Sequence, residues 1–159
     1  MNPVEPAPSP PVSRPDITVA VVVERDGKFL MVREESDGVV VLNQPAGHLE
    51  RGETVFAAAQ RETAEEAGWE IRVTALLGIY DYTAPDSGKT YIRHCFIAEP
   101  LRELIGQPLD EGILEALWLS YDEILADSVA LRSPLVRQAL QDYQSGIRYP
   151  LSVITLLDS

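Results

Sequence analysis

A chain of 159 residues is long enough to bury a core and short enough to form one domain. Its 25 acidic residues against 13 basic ones give a formal net charge of −12, which repels nucleic-acid phosphates and anionic membranes alike. No apolar run approaches the ~18 residues of a membrane helix, the first fifteen residues do not read as a signal peptide, and the single cysteine, Cys95, cannot close an internal disulfide. These features predict a cytoplasmic protein, monomer or homodimer, whose partners are small molecules rather than nucleic-acid polymers or membranes.

Residues 1–15 carry six prolines and read as a disordered or polyproline-II tail. The folded domain is expected over 16–152, with 153–159 as a C-terminal tail. Ile17–Val23 is rich in β-branched residues and predicts a buried strand. An Asp26-Gly27 turn then returns the chain as a second strand, Phe29–Val32. Val39–Leu42 predicts a third strand, and Asn43-Gln44-Pro45-Ala46-Gly47-His48 reads as a loop punctuated by Pro and Gly. From Glu53 to Ala67 apolar and acidic residues recur at three and four positions, predicting a helix closed by Gly68. Trp69–Val73, Ala75–Tyr82, Tyr91–Ala98 and Leu114–Leu119 are further strand candidates. Ser133-Pro134 fits an N-cap followed by Pro at N1, for a helix running to Tyr143 and stopping near Gly146. Strands around one strong helix and before another predict an α/β sandwich with a mixed sheet.

Within the first helix Glu62, Glu65 and Glu66 stand at i, i+3 and i+4, which puts three carboxylates on one face within a turn. Like charges so close repel unless something offsets them. A hard divalent cation does so, because Mg²⁺ and Mn²⁺ prefer oxygen ligands. Arg61 precedes the trio and can fix a carboxylate in place, and the Pro-Ala-Gly before the helix offers backbone carbonyls. Any one of these glutamates alone would be read as solvated surface charge; the combination points to a metal site.

Gly47, Glu53, Arg61, Glu62, Glu65, Glu66 and Gly68 stand at the spacing of the Nudix box, which the segment from Gly47 to Trp69 resembles. A chance match of seven specified residues is on the order of one in 10⁸ per starting position. One apolar position departs, with Thr63 where Ile, Leu or Val is usual. The resemblance implies the Nudix α/β/α sandwich, with the box as a loop–helix–loop. It implies that Glu62, Glu65, Glu66 and the carbonyl of Ala46 hold Mg²⁺ (or Mn²⁺), that Glu53 helps position the metal, and that Arg61 holds a glutamate. Members of this family differ in the general base; Glu62 ranks first here and Glu115, in the loop before the last strand, second. His48, beside the box, and Arg132 and Arg93 are candidate substrate-binding residues, while Tyr80, Tyr82 and Tyr91 are candidates for stacking on a base.

Outside the box, Asn43–Glu50, Leu131–Val136, Tyr143–Gly146 and Arg148–Leu151 are similar to segments of the NudJ-type Nudix phosphatases, so the resemblance covers roughly residues 16–151. It implies hydrolysis of nucleoside tri- and diphosphates, and of the pyrophosphate on the thiamine pyrimidine precursor, with release of phosphate. The alternatives are a Nudix pyrophosphatase acting on ADP-ribose, a nucleotide sugar or an oxidised nucleotide, and a non-catalytic domain that senses a nucleotide.

Overall fold

A computed structural model of the chain describes residues 14–157. Residues 1–13, most of the expected proline-rich tail, and residues 158–159 lie outside the described residues. The elements in chain order are β1 (Asp16–Arg25), β2 (Lys28–Ser36), β3 (Val39–Asn43), β4 (Ala46–His48), α1 (Val55–Ala67), β5 (Trp69–Thr83), β6 (Thr90–Glu103), β7 (Ile113–Ser120), α2 (Tyr121–Ala126), α3 (Pro134–Gln144) and a single 3₁₀ turn, Leu151–Val153.

The β1–β2 hairpin turns through Asp26 and Gly27, both at positive φ (53° and 77°), as a two-residue turn with the twist of its strands requires. The two strands pair only next to that turn, at Glu24↔Phe29 and Arg25↔Lys28. Beyond it they diverge. β1 lies between β4 and β6, with β5 outermost, whereas β2 lies between β3 and β7. β1 and β6 run parallel and the remaining pairs antiparallel, so the sheet is mixed, as expected.

Each face of this split sheet carries helices. Val19, Val21 and Val23 of β1, with Leu30, Val32 and Phe96, pack against Ala58, Ala59 and Ala67 of α1. Ala20 and Val22, with Phe29, Met31, Cys95 and Ile97, pack against Ile124 of α2 and Val136, Ala139 and Leu140 of α3. Alternation along β1 thus sends successive side chains into two cores, and the layers are helix, sheet, helix.

Four elements differ from the sequence reading. Ala46–His48, read as a loop, is a short strand against β1, with Thr18↔His48 and Ala20↔Ala46 in register. The helix begins at Val55 rather than Glu53, because Thr54 is the N-cap and its hydroxyl accepts from the Ala57 N–H at 3.1 Å. Glu53 is therefore outside the helix. The two strands read around Thr74 are one, β5, which absorbs the irregularity as bulges between Val73 and Ala75 and between Leu76 and Gly78. Helix α2 was not anticipated; Ser120 and Glu123 form a capping box at its start. At the other end, beyond the expected boundary at 152, Ile154 packs with Leu151 against the α1-side core.

Candidate functional site

Helix α1 presents Glu62 and Glu66 on its buried side, 7% and 9% exposed, and closes on Gly68 in the left-handed region (φ 68°). One guanidinium organises the acidic residues. Arg61 donates from Nε to Glu53 Oε2 (3.0 Å), from Nη2 to Glu53 Oε1 (2.6 Å) and to the His48 carbonyl (3.0 Å), and from Nη1 to Glu62 Oε1 (2.9 Å) and Glu65 Oε2 (3.1 Å). The bidentate fork on Glu53 is the strong geometry for such a pair. It holds the Glu53 carboxyl below its usual range, helped by the Glu50 backbone N–H, which donates to Glu53 Oε1 at 2.8 Å. The like charges of the box are thus partly offset by a cation inside the chain. The same side chain ties the helix to the loop at His48 and Glu53.

Glu66 is not part of that network. Its Oε2 accepts from the Ala46 N–H at 3.0 Å, and burial, with Glu62, Glu34 and Asp110 adding like charge, pushes its carboxyl up to about 8. Burial raises Glu62 as well, against the pull of Arg61. The Glu62 carboxyl leaves no room for a side chain at Gly47: a β-carbon there would lie 2.1 Å from Glu62 Cδ. Among the described residues no three acidic, histidine or cysteine side chains converge as a ready cation cage. The donor set still suits a hard divalent ion. It consists of carboxylate oxygens, two of them buried with their charged forms undersupported, and added positive charge is what they lack.

Two further carboxylates belong to this cluster and were not singled out in the sequence. Glu34, on β2, accepts from Asn43 Nδ2 (3.2 Å) and pairs with Arg132 Nε (3.2 Å). Asp110 sits in the loop before β7, where its N–H donates to the Glu65 carbonyl at 2.9 Å. Both add like charge at Glu66. Neither lies in a recognisable pattern, so only the folded arrangement reveals them. Glu115, expected in the loop before the last strand, stands instead within β7 opposite Arg33; it is half-exposed and taken up by Arg33 at 2.5 Å, and Arg33 also holds Asp127 at 2.6 Å.

Of the candidate substrate-binding residues, Arg93 is held on β6 with its Nη1 buried and without a partner. Its Nε reaches Thr18 Oγ1 at 3.5 Å, and its electrostatic neighbours include Glu66, Glu34 and Arg132. Burial without full pairing lowers the Arg93 guanidinium from its usual range. Arg132 is half-exposed beside Glu34 and is fixed by its backbone N–H on the Leu42 carbonyl (2.9 Å). Arg93, Arg132 and the box glutamates are thereby brought to one region. His48 lies at its rim, exposed, with Nε2 2.9 Å from Asp16 Oδ2. Thr63, at the atypical position of the box, is fully buried and its hydroxyl donates to the Ala59 carbonyl at 2.8 Å, so the helix absorbs it internally. The Tyr143–Gly146 segment closes α3, whose C-cap is Ser145, turns at Gly146 (φ 88°) and leads to Tyr149, which exchanges backbone bonds with Leu76 on β5.

The NUDIX domain profile matches residues 13–139. The chain belongs to the Nudix hydrolase family. This Nudix chain is 43% identical over 141 residues to phosphatase NudJ of Escherichia coli strain K12, spanning 89% of this chain and 91% of that one. The same identity and coverage hold for phosphatase NudJ of Shigella flexneri. A solved NUDIX hydrolase from Nitrosomonas europaea superposes with a TM-score of 0.89 at 43% identity, covering 92% of this chain and 99% of that one. A UDP-X diphosphatase superposes at a TM-score of 0.67 with 20% identity, a likeness of fold alone. Nudix hydrolases act on small nucleotide-like molecules with a divalent metal, and the site just described is where this chain gathers its carboxylates.

Proposed function

We propose that this Nudix hydrolase is a Mg²⁺-dependent phosphatase that hydrolyses the phosphoanhydride bonds of nucleoside tri- and diphosphates, releasing phosphate, and that the pyrophosphate of the thiamine pyrimidine precursor is a second substrate. The observation that carries this reading is the 43% identity to NudJ phosphatases along nearly the whole of both chains, well beyond the box. No described helix is long and apolar enough to cross a membrane, in keeping with a cytoplasmic enzyme that works on soluble nucleotides.

Glu62, Glu65 and Glu66, with the carbonyl of Ala46, would hold the divalent cation. A cation there supplies positive charge against the phosphate oxygens and acidifies a water. The chain's own residues do the rest. Arg61 and Glu53 lock the box loop to the helix, which keeps the box carboxylates close to one another. Arg93, through its unpartnered Nη1, and the half-exposed Arg132 offer guanidinium groups to the phosphate oxygens. His48, exposed beside the box, is a further candidate for contact with the substrate. Glu62, buried among the box carboxylates, ranks ahead of the half-exposed Glu115 as general base.

The deciding experiment incubates the protein with Mg²⁺ and GTP, GDP, ADP-ribose or the thiamine pyrimidine pyrophosphate, and identifies products by ³¹P NMR, with Glu65→Gln in parallel. Orthophosphate from GTP and GDP, lost in the variant, is the expected result. GMP with pyrophosphate, or AMP from ADP-ribose, would replace the phosphatase by a Nudix pyrophosphatase. Metal and nucleotide binding without turnover would leave only a sensing domain.

A further inference from the structure

Two tyrosines on the open half of one sheet face are absorbed by neither core. Tyr91 on β6 and Tyr82 on β5 are directly opposite in register, so their side chains share a face. Tyr80 and Arg93 form the next such pair on that face, followed by Gly78 and Cys95. Going inward, this face becomes the α3-side core: Cys95 is buried there, Tyr80 packs against it, and the Tyr80 hydroxyl donates to Asp142 of α3 at 2.7 Å. Tyr82 and Tyr91 are half-buried and belong to neither packed cluster, although Tyr80, Tyr121 and Tyr143 all pack against the α3-side one.

Position sets their significance. Tyr91 is two residues from Arg93 on the same strand face, a spacing of about 7 Å. Arg93 in turn neighbours Glu66 and Glu34 with its Nη1 unpaired. Glu66 is thus an electrostatic neighbour of Arg93, and Arg93 shares its strand face with Tyr91. The polar groups beside the rings are already committed to one another. Asp16 Oδ2 accepts from Lys89 Nζ at 2.6 Å and lies 2.9 Å from His48 Nε2. Lys89 Nζ is 5.7 Å from the centre of the Tyr91 ring, and the His48 ring meets it edge-on at 6.5 Å.

We propose that Tyr91 and Tyr82 form a stacking ledge for the aromatic ring of the substrate, reading the face of the ring and not its edge. The ring rests on the tyrosines while the phosphates lie on Arg93 toward the box. Every base has a π-face, so stacking accepts purines and pyrimidines alike. Asp16, His48 and Lys89 are engaged among themselves, which leaves these three side chains less able to select a particular base edge. The substrate class is then any pyrophosphate or polyphosphate that carries a planar ring at nucleotide spacing, and a polyphosphate without a ring gains nothing from the ledge. This rests on the proposed phosphatase reading for the direction of the phosphates, but not for the presence of the ledge.

The test separates the two. GMP and UMP have no phosphoanhydride, so their binding in the presence of Mg²⁺ is read without turnover. In saturation-transfer difference NMR the ring protons of both should receive stronger saturation than the ribose protons. Tyr91→Leu should abolish that preference and Tyr91→Phe keep it, with circular dichroism confirming that both variants fold. In turnover of GTP, Tyr91→Leu should raise KM about tenfold with kcat little changed, while Tyr91→Phe stays near wild type and the KM for inorganic tripolyphosphate does not move. Equal saturation of ring and ribose, or a Leu variant indistinguishable from wild type in binding, overturns the ledge whatever the enzyme's products. Ring saturation with no phosphate release overturns the phosphatase reading and leaves the ledge standing.

Discussion

Glu62 fills the space that a side chain on Gly47 would need: a β-carbon on the glycine would meet the glutamate's carboxyl carbon at 2.1 Å. The obstacle is the far end of a movable side chain, not backbone. Gly47→Ala should therefore fold with a melting temperature near wild type while displacing the carboxylate. Activity should fall by roughly 10- to 100-fold, as when a group that positions a metal ligand is lost. Thermal melts and Mg²⁺-dependent rates measured together check this. A large loss of stability with unchanged specific activity would show that the glycine serves the backbone instead.

Arg61 offers a second test. Lysine keeps the charge but has no fork, and it cannot serve Glu53, Glu62, Glu65 and the His48 carbonyl together. Arg61→Lys should lose roughly 10- to 100-fold in rate, accompanied by a weaker apparent affinity for Mg²⁺. Retention of wild-type Mg²⁺ dependence in the Lys variant would mean that charge alone suffices.

Cys95 is fully buried, and burial pushes its thiol up to about 12, although Gln44 Nε2 donates to its sulfur at 3.3 Å. Since the thiolate is the reactive form, the native protein should resist a disulfide-exchange reagent at about pH 8 and release one equivalent in urea. Rapid reaction without denaturant would place the thiol outside the core.

Asp127 predicts an acid-side effect on stability. The Val129 N–H (2.9 Å) and Arg33 hold its carboxyl below the usual value of 3.8. A carboxyl lowered on folding stabilises above its unfolded pKa, and the contribution disappears as pH falls through the lowered folded value. In urea melts the gap between wild type and Asp127→Asn should be full at about pH 6 and shrink below about pH 4. A gap independent of pH would assign the difference to packing.

The box was legible because its chemistry is local. Three glutamates on one helical turn and a glycine at the helix end are statements about neighbours in sequence, and so is the arginine beside them. Glu34 and Asp110 were not legible, because they join the cluster through β2 and through a loop docked on Glu65. Ala46–His48 was read as a loop because Pro45 and Gly47 mask three residues whose partner, β1, lies far back in the chain. Helix α2 did announce itself, through Ser120 and Glu123 at capping-box spacing, but six residues carry too little periodicity to be seen without the cap. The role of Arg93 depends on what faces it across strands, which one sequence cannot supply.

The shared hairpin has a consequence for how the protein is made. Its two strands part after two residue pairs, and each must then recruit a neighbour from the second half of the chain, β6 for β1 and β7 for β2. Contacts so distant in sequence close slowly. A nascent chain that has emerged only through α1 already carries every box glutamate, yet lacks both Arg93 and Arg132. The box glutamates and the two arginines proposed to face the phosphates therefore come together only at the end of folding, which keeps incomplete chains from presenting the assembled site.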